Sequence, residues 1–131
     1  MNLEPERWRV CPILGMRDVR AALEVFTKQL GFRLHGTFGP DAREGMVYAI
    51  LSRGDAEIHL QIRRHAPLDV GRQGFERSAY FRVADTDALH ADLAARGARI
   101  LEPPHDQPYG MRELTVAAPE GHVLAFGSEL R

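Results

Sequence analysis

An internal repeat constrains the fold more than any other feature of the chain. Hydrophobic periodicity reads strand, helix, strand, strand, strand, and then the same order again. In each copy an Asp precedes the helix and a Gly follows it: Asp18 and Gly31 first, Asp85 and Gly97 second. Each copy ends in a hairpin, turning at Gly54 and at Gly121. Two βαβββ units predict an α+β architecture of tandem repeats, a curved mixed sheet around a cleft, with one face of each sheet under its own helix. A chain of 131 residues is the length of one domain. We therefore read a single domain over 1–131, with halves at about 9–62 and 78–127 and a linker at 63–77 that carries Pro67 and several charges.

The elements follow from local signals. A polar arm, Met1–Arg7, leads to Trp8 and a strand over Arg9–Met16, in which Pro12 argues for an edge or a bulge. Asp18 is an N-cap candidate, and Val19, Ala22, Leu23, Phe26 and Leu30 recur at helical spacing. Strands are expected at Phe32–Phe38, Met46–Ser52 and Ala56–Ile62, with Gly39–Gly45 as a loop and Arg53-Gly54-Asp55 as a turn. In the last strand Ile58, Leu60 and Ile62 share one face, and Glu57, His59 and Gln61 the other. The second half repeats this with a strand over Ser78–Val83, a helix whose apolar side is Ala88, Leu89 and Leu93, a strand over Ala98–Leu101 and a loop over Glu102–Pro108. The closing hairpin turns through Pro119-Glu120-Gly121, with Leu114 and Val116 facing Leu124 and Phe126. Ala79, Phe81 and Val83 fit beneath a helix, which leaves Ser78, Tyr80 and Arg82 on the cleft side.

Composition removes several functional classes. A net charge of −1 supplies no field for nucleic acid or an anionic membrane surface. No apolar run approaches the ~20 residues of a transmembrane helix, and the first residues lack a signal-peptide pattern. Cys11 is the single cysteine, so no intrachain disulfide forms, and a cytoplasmic protein is the expectation. There is no GxSxG, Walker, GxGxxG or CxxC motif.

In the first half Pro12-Ile13-Leu14, Asp18-Val19 and Phe26…Leu30-Gly31-Phe32, and in the second Asp87-Ala88-Leu89…Gly97-Ala98, Gln107-Pro108-Tyr109-Gly110-Met111-Arg112-Glu113 and Pro119-Glu120-Gly121-His122, together resemble the vicinal oxygen chelate superfamily. This is the glyoxalase/bleomycin-resistance/dioxygenase fold. The Gln-Pro-aromatic-Gly-x-Arg-Glu stretch is most similar to the bleomycin-resistance-protein branch. The resemblance implies a homodimer with ligand clefts shared between chains, and it raises exchange of the N-terminal arm. Enzymes of the superfamily hold a divalent metal through four side chains. Carried over one by one, the positions fall on Cys11, His59, Ser78 and Ala125. His59 is an ordinary ligand, Cys11 can serve as a thiolate, Ser78 is poor and Ala125 cannot ligate. No family-type metal and no cofactor are therefore expected.

Two functions follow. In the first, a binding protein sequesters an aromatic or peptide-like antibiotic, with Trp8, Ile13, Phe38, Tyr48, Tyr80, Tyr109 and Met111 as apolar walls and His59 and Glu113 as polar contacts. In the second, a lyase, isomerase or oxygenase on the same fold uses His59 with Glu113 or Tyr80 for acid–base work. Each residue also has a plain structural reading. His59 is equally a hydrogen-bonded strand histidine, Cys11 a small buried hydrophobe, Glu113 the partner of Arg112 or of a cross-strand neighbour, and His122 a solvent-facing residue after a turn.

Overall fold

The structure is a computed structural model that describes residues 6, 8–39, 45–63 and 76–131. The first half comprises β1 (Ile13–Met16), α1 (Val19–Lys28), β2 (Arg33–Phe38), β3 (Tyr48–Arg53) and β4 (Ala56–Ile62). The second comprises β5 (Ala79–Arg82), α2 (Thr86–Ala95), β6 (Ile100–Asp106), β7 (Met111–Ala117), a short 3₁₀ turn at Pro119–Gly121, and β8 (Val123–Glu129). The strands form two four-stranded sheets in the orders β1-β4-β3-β2 and β5-β8-β7-β6. In each half the first strand runs parallel to the last, and the remaining pairs are antiparallel. Even the irregularities correspond: register slips on the outer edge strands β2 and β6, where bulges disturb the ladder least. The two βαβββ repeats are thus real.

Both helix caps form as expected. The Asp18 carboxylate accepts the Ala21 N–H at 2.9 Å and the Asp85 carboxylate the Ala88 N–H at 3.0 Å, each satisfying a first-turn donor that the helix cannot. Gly31, at φ 75°, turns the chain out of α1.

Three features differ most from expectation. The first strand begins at Ile13, not Arg9. Pro12 has no N–H to donate, and it enters the sheet only through its carbonyl, which accepts the His59 N–H at 2.9 Å. The sixth strand continues through Pro103 and Pro104 to Asp106, where a loop was expected. Two prolines are tolerated because β6 is an edge. In α2 the buried positions are Thr86 and Leu93, while Ala88 is exposed. Thr86 is buried because its hydroxyl donates to the Arg112 carbonyl at 2.9 Å and also meets Ser128 Oγ. The expected linker at 63–77 and loop at 39–45 lie largely, and the N-terminal arm almost entirely, outside the described residues.

One apolar core serves both halves. Leu14, Met16, Ala49, Leu51, Ile58 and Leu60 meet Val19, Ala22 and Phe26 of α1, and Leu114, Val116, Leu124 and Phe126 meet Leu93 of α2. The halves join through aromatic rings. Phe26 meets Phe32 edge-on at 5.7 Å, Phe32 meets Phe81 at 6.2 Å, and Phe81 stacks on Phe126 at 5.2 Å.

A polar clasp fixes the same junction. The Glu120 carboxylate accepts the backbone N–H groups of Arg17 at 2.7 Å and Asp18 at 3.0 Å, and Arg63 Nη2 at 3.1 Å. Next to it, His122 is buried and not solvent-facing. Its Nε2 lies 2.9 Å from the Gly15 carbonyl and its Nδ1 2.7 Å from Ser78 Oγ. A carbonyl only accepts, so the proton is on Nε2 and the Ser78 hydroxyl donates to Nδ1. Glu120 holds the clasp with φ at 59°, a left-handed conformation uncommon for a side-chain-bearing residue. Glu120→Gln should lower stability by about 1–3 kcal/mol in urea unfolding. Glu120→Gly, which relaxes the backbone but removes the carboxylate, should not recover the loss. A glycine variant as stable as the parent would show that backbone strain outweighs the clasp.

Candidate functional site

Alternation along the strands puts the core on one face of each sheet and a second set of side chains on the face away from the helix. Eight of the nine expected ligand contacts fall into two separate groups on these helix-free faces. On the first sheet Ile13 pairs with His59, and Phe38 with Tyr48. Tyr48 meets Phe38 edge-on at 6.5 Å and His59 at 5.3 Å. On the second sheet Tyr80, Tyr109 and Glu113 form one hydrogen-bonded group, with Met111 on the same strand as Glu113. Trp8 precedes β1 and is 82% exposed, apart from both.

Glu113 organises the second group. Its residue is 1% exposed, yet its carboxylate accepts Tyr80 Oη and Tyr109 Oη, each at 2.7 Å, and Arg77 Nη2 at 3.2 Å. Burial alone would raise its pKa. The hydrogen bonds from Tyr109 and Tyr80 and the Arg77 charge outweigh burial and hold it below the usual carboxylate value. The Tyr80 phenol is pushed up to about 12, by burial first and then by its bond to Glu113. Tyr109 is raised as well, chiefly by its bond to the same carboxylate. Gly127 lies opposite Glu113 on β8. A Cβ there would run into the Tyr80 hydroxyl, so glycine is needed for the phenol to cross the strand.

The Gln107–Glu113 stretch divides its work. Pro108 and Gly110 shape a turn closed by Gly110 N–H to the Gln107 carbonyl at 3.1 Å, with Gly110 at φ 87°. Tyr109 stands 61% exposed on that turn. Arg112 does not pair with Glu113 but holds Asp87 through two nitrogens, at 2.9 and 3.1 Å, and Asp106 at 2.8 Å, tying α2 to the end of β6.

On the first sheet Tyr48 Oη lies 2.6 Å from His59 Nδ1, and His59 Nε2 lies 3.1 Å from Glu57. A carboxylate at Nε2 places the ring proton there and leaves Nδ1 to accept from the phenol. Cys11 is partly buried beside them, and burial followed by the Glu57 charge raises its thiol pKa. That is the environment of a thiol rather than a free thiolate. The Tyr48 phenol is raised too, by burial and then by Cys11 and Glu57.

The four positions implied by the family metal are not assembled as a donor set. Ser78 is engaged by His122, and the wholly buried Ala125, opposite Tyr80, brings no donor atom. Cys11 and His59 do meet, but on the first sheet and together with Glu57. His59 shares no hydrogen bond with Glu113 or Tyr80 among the described residues, and the three are divided between the sheets.

Sequence reasoning passed over Glu57, Arg77, Arg63 and Glu120. Glu57 was legible as the same-face neighbour of His59 at i, i+2. Arg77 and Arg63 sat at the ends of a stretch read as linker, and nothing local marks their partners 36 and 57 residues away.

Comparison with known proteins places this geometry. The model of the glyoxalase/bleomycin resistance protein/dioxygenase superfamily matches residues 12–126. The chain belongs to this superfamily. No curated protein matches it in sequence. Among solved structures, TioX from Micromonospora sp. ML1 is 25% identical, with 95% of this chain and 100% of that one covered and a TM-score of 0.74. The bleomycin-binding protein from bleomycin-producing Streptomyces verticillus, complexed with copper(II)-bleomycin, is also 25% identical, with 94% and 97% covered and a TM-score of 0.68. A glyoxalase-related enzyme from Clostridium phytofermentans has a TM-score of 0.76 over 96% and 98% of the two chains, but at 18% identity it speaks for the superfamily fold alone.

The Glu113 network has a pH signature. Glu113, with its pKa lowered from 4.5, contributes stability above about that pH and loses it as pH falls through the lowered value. Tyr80, raised from 10.0 to about 12, contributes stability below pH 10 and loses it as pH rises through about 12. In an ultraviolet phenolate titration, Glu113→Gln should shift Tyr80 and Tyr109 back toward pH 10 and leave Tyr48 in place. An unchanged titration would remove Glu113 as an organiser of the site.

Proposed function

We propose that the protein binds and sequesters a small molecule, an aromatic or peptide-like antibiotic, in a cleft completed by a second copy of the chain. One observation carries this reading: the buried, charged Glu113 held by Tyr80, Tyr109 and Arg77 beside an exposed ring. A carboxylate has about four acceptor positions, and among the described residues three donors occupy this one, which leaves one for an N–H donor from a ligand. A carboxylate held below its usual pKa, with its lone pairs engaged, serves as a fixed electrostatic anchor and is a weak proton acceptor. Tyr109 presents a flat face for stacking. An anchor plus a flat wall suits a planar group linked to amides. The likeness to a bleomycin-binding protein supports the same ligand class. Bleomycin itself is a cation, and a net charge of −1 gives it little long-range attraction.

The dimer rests on exposure. Ile13 and Phe38 are 54% and 57% exposed on the first sheet's helix-free face, and Tyr109 projects from the second. A ligand cleft encloses its occupant far more than these open faces do, and a second copy laid across them would supply the missing wall.

Calorimetric titration with planar and peptide-like antibiotics tests the reading. Tyr109→Ala should weaken the bound compound about tenfold or more, the scale of stacking on an aromatic side chain. Tyr109→Phe should fall between, because it keeps the ring but loses the bond to Glu113. An alanine variant that binds as well as the parent would reject the site. Light scattering should report twice the mass of one 14.7 kDa chain, and a monomer at micromolar concentration would reject the shared cleft.

A further inference from the structure

We propose that Cys11, Glu57 and His59 form a binding site for a divalent metal ion of zinc's class. The proposal is independent of antibiotic binding, and it uses only two of the positions implied by the family. Its third donor, Glu57, comes from the same strand as His59, two residues away.

The strand arrangement brings the donors together. Ile13 of β1 pairs with His59 of β4, so Cys11, two residues before Ile13, falls beside Glu57, two residues before His59. One donor atom from each residue lies within 4.8 Å of the others, and His59 Nε2 and Glu57 are already 3.1 Å apart. A tetrahedral zinc with bonds of about 2.0–2.3 Å needs donors about 3.3–3.8 Å apart, so a closure of at most about 1.5 Å on the thiol side completes the geometry. Rotation of the half-exposed Glu57 side chain and of Cys11 can supply it, since neither is locked in the core.

The donor chemistry selects the metal. Thiolate with imidazole and one carboxylate suits zinc and its neighbours, whereas magnesium and calcium call for oxygen donors throughout. Three protein ligands leave the fourth position open. Of the three donors, Glu57 also borders a groove of about 340 Å³, which it shares with Val10, Pro12 and Tyr80. A supporting group is also in place. Tyr48 Oη, 2.6 Å from His59 Nδ1, fixes the ring. With a metal on Nε2, the proton moves to Nδ1 and the phenol becomes its acceptor, the outer contact that metal-bound histidines normally have.

The test uses chelator-stripped, untagged protein titrated with Co(II) and followed by absorbance. One Co(II) per chain should produce a thiolate-to-cobalt charge-transfer band, which stoichiometric Zn(II) should abolish. Cys11 is the only cysteine, so this band identifies its ligand without ambiguity. Cys11→Ser should remove the band, and Glu57→Gln and His59→Ala should each weaken Zn(II) binding at least tenfold by competition. Tyr48→Phe should weaken binding about ten- to a hundredfold while keeping the band. Circular dichroism confirms that each variant is folded. Absence of saturable Co(II) binding by the parent protein, or binding that is unaltered in both Cys11→Ser and His59→Ala, would overturn the proposal.

Discussion

The rest of the structure depends on how the turn between the last two strands grips the first half of the chain. Glu120 reaches the amides that open α1, and His122 bridges the Gly15 carbonyl and Ser78. A carboxylate at a helix N-terminus is favoured by the exposed N–H groups and by the helix dipole. Here the carboxylate comes from more than 100 residues away, so it orients one repeat against the other instead of capping locally. The aromatic run from Phe26 to Phe126 joins the same two halves, and truncating a buried phenylalanine costs about 3–5 kcal/mol, against about 1–3 kcal/mol for hydrogen bonds to a charged group. The rings therefore dominate stability, whereas the directional clasp sets the relative position of β1 and β5.

That position decides where chemistry can occur. With both helices and the shared core on one side, the polar and aromatic side chains are left on the other faces of the two sheets. Two distinct clusters result. Glu113 is a charged anchor held by three donors, surrounded by phenols that burial and its own charge keep protonated. Cys11, Glu57 and His59 are looser and more open. The first is built to hold a ligand still, the second to change partners. A superfamily with one repeat architecture can house both kinds of site because the scaffold leaves these faces free.

Much of this was legible in the sequence where the cause is local. Asp18 and Asp85 cap their helices, Gly121 turns the closing hairpin with a positive φ, and period-two alternation put Phe81 beneath the core and Tyr80 away from it. What escaped has long-range causes. No pattern around His122 announces that it is buried, because its partners come from Gly15 and the start of the second half. Glu113 next to Arg112 suggested a pair, yet adjacent strand residues face opposite ways, and each found its partner on its own side. The prolines at 103 and 104 read as a loop because strand position, edge or centre, is a property of the sheet. Glu57 is not one of the four positions that the family resemblance implies for a metal, so the resemblance gives no sign of its meeting with Cys11 and His59.

The most direct measurement is a crystal structure of the protein with the tightest-binding compound from the antibiotic series. The account predicts the ligand on the helix-free face of the second sheet, with a planar group against the Tyr109 ring and an N–H directed at Glu113. A ligand seated instead among Phe32, Arg53 and Phe81 on the helix side, with the Glu113 network untouched, would contradict it.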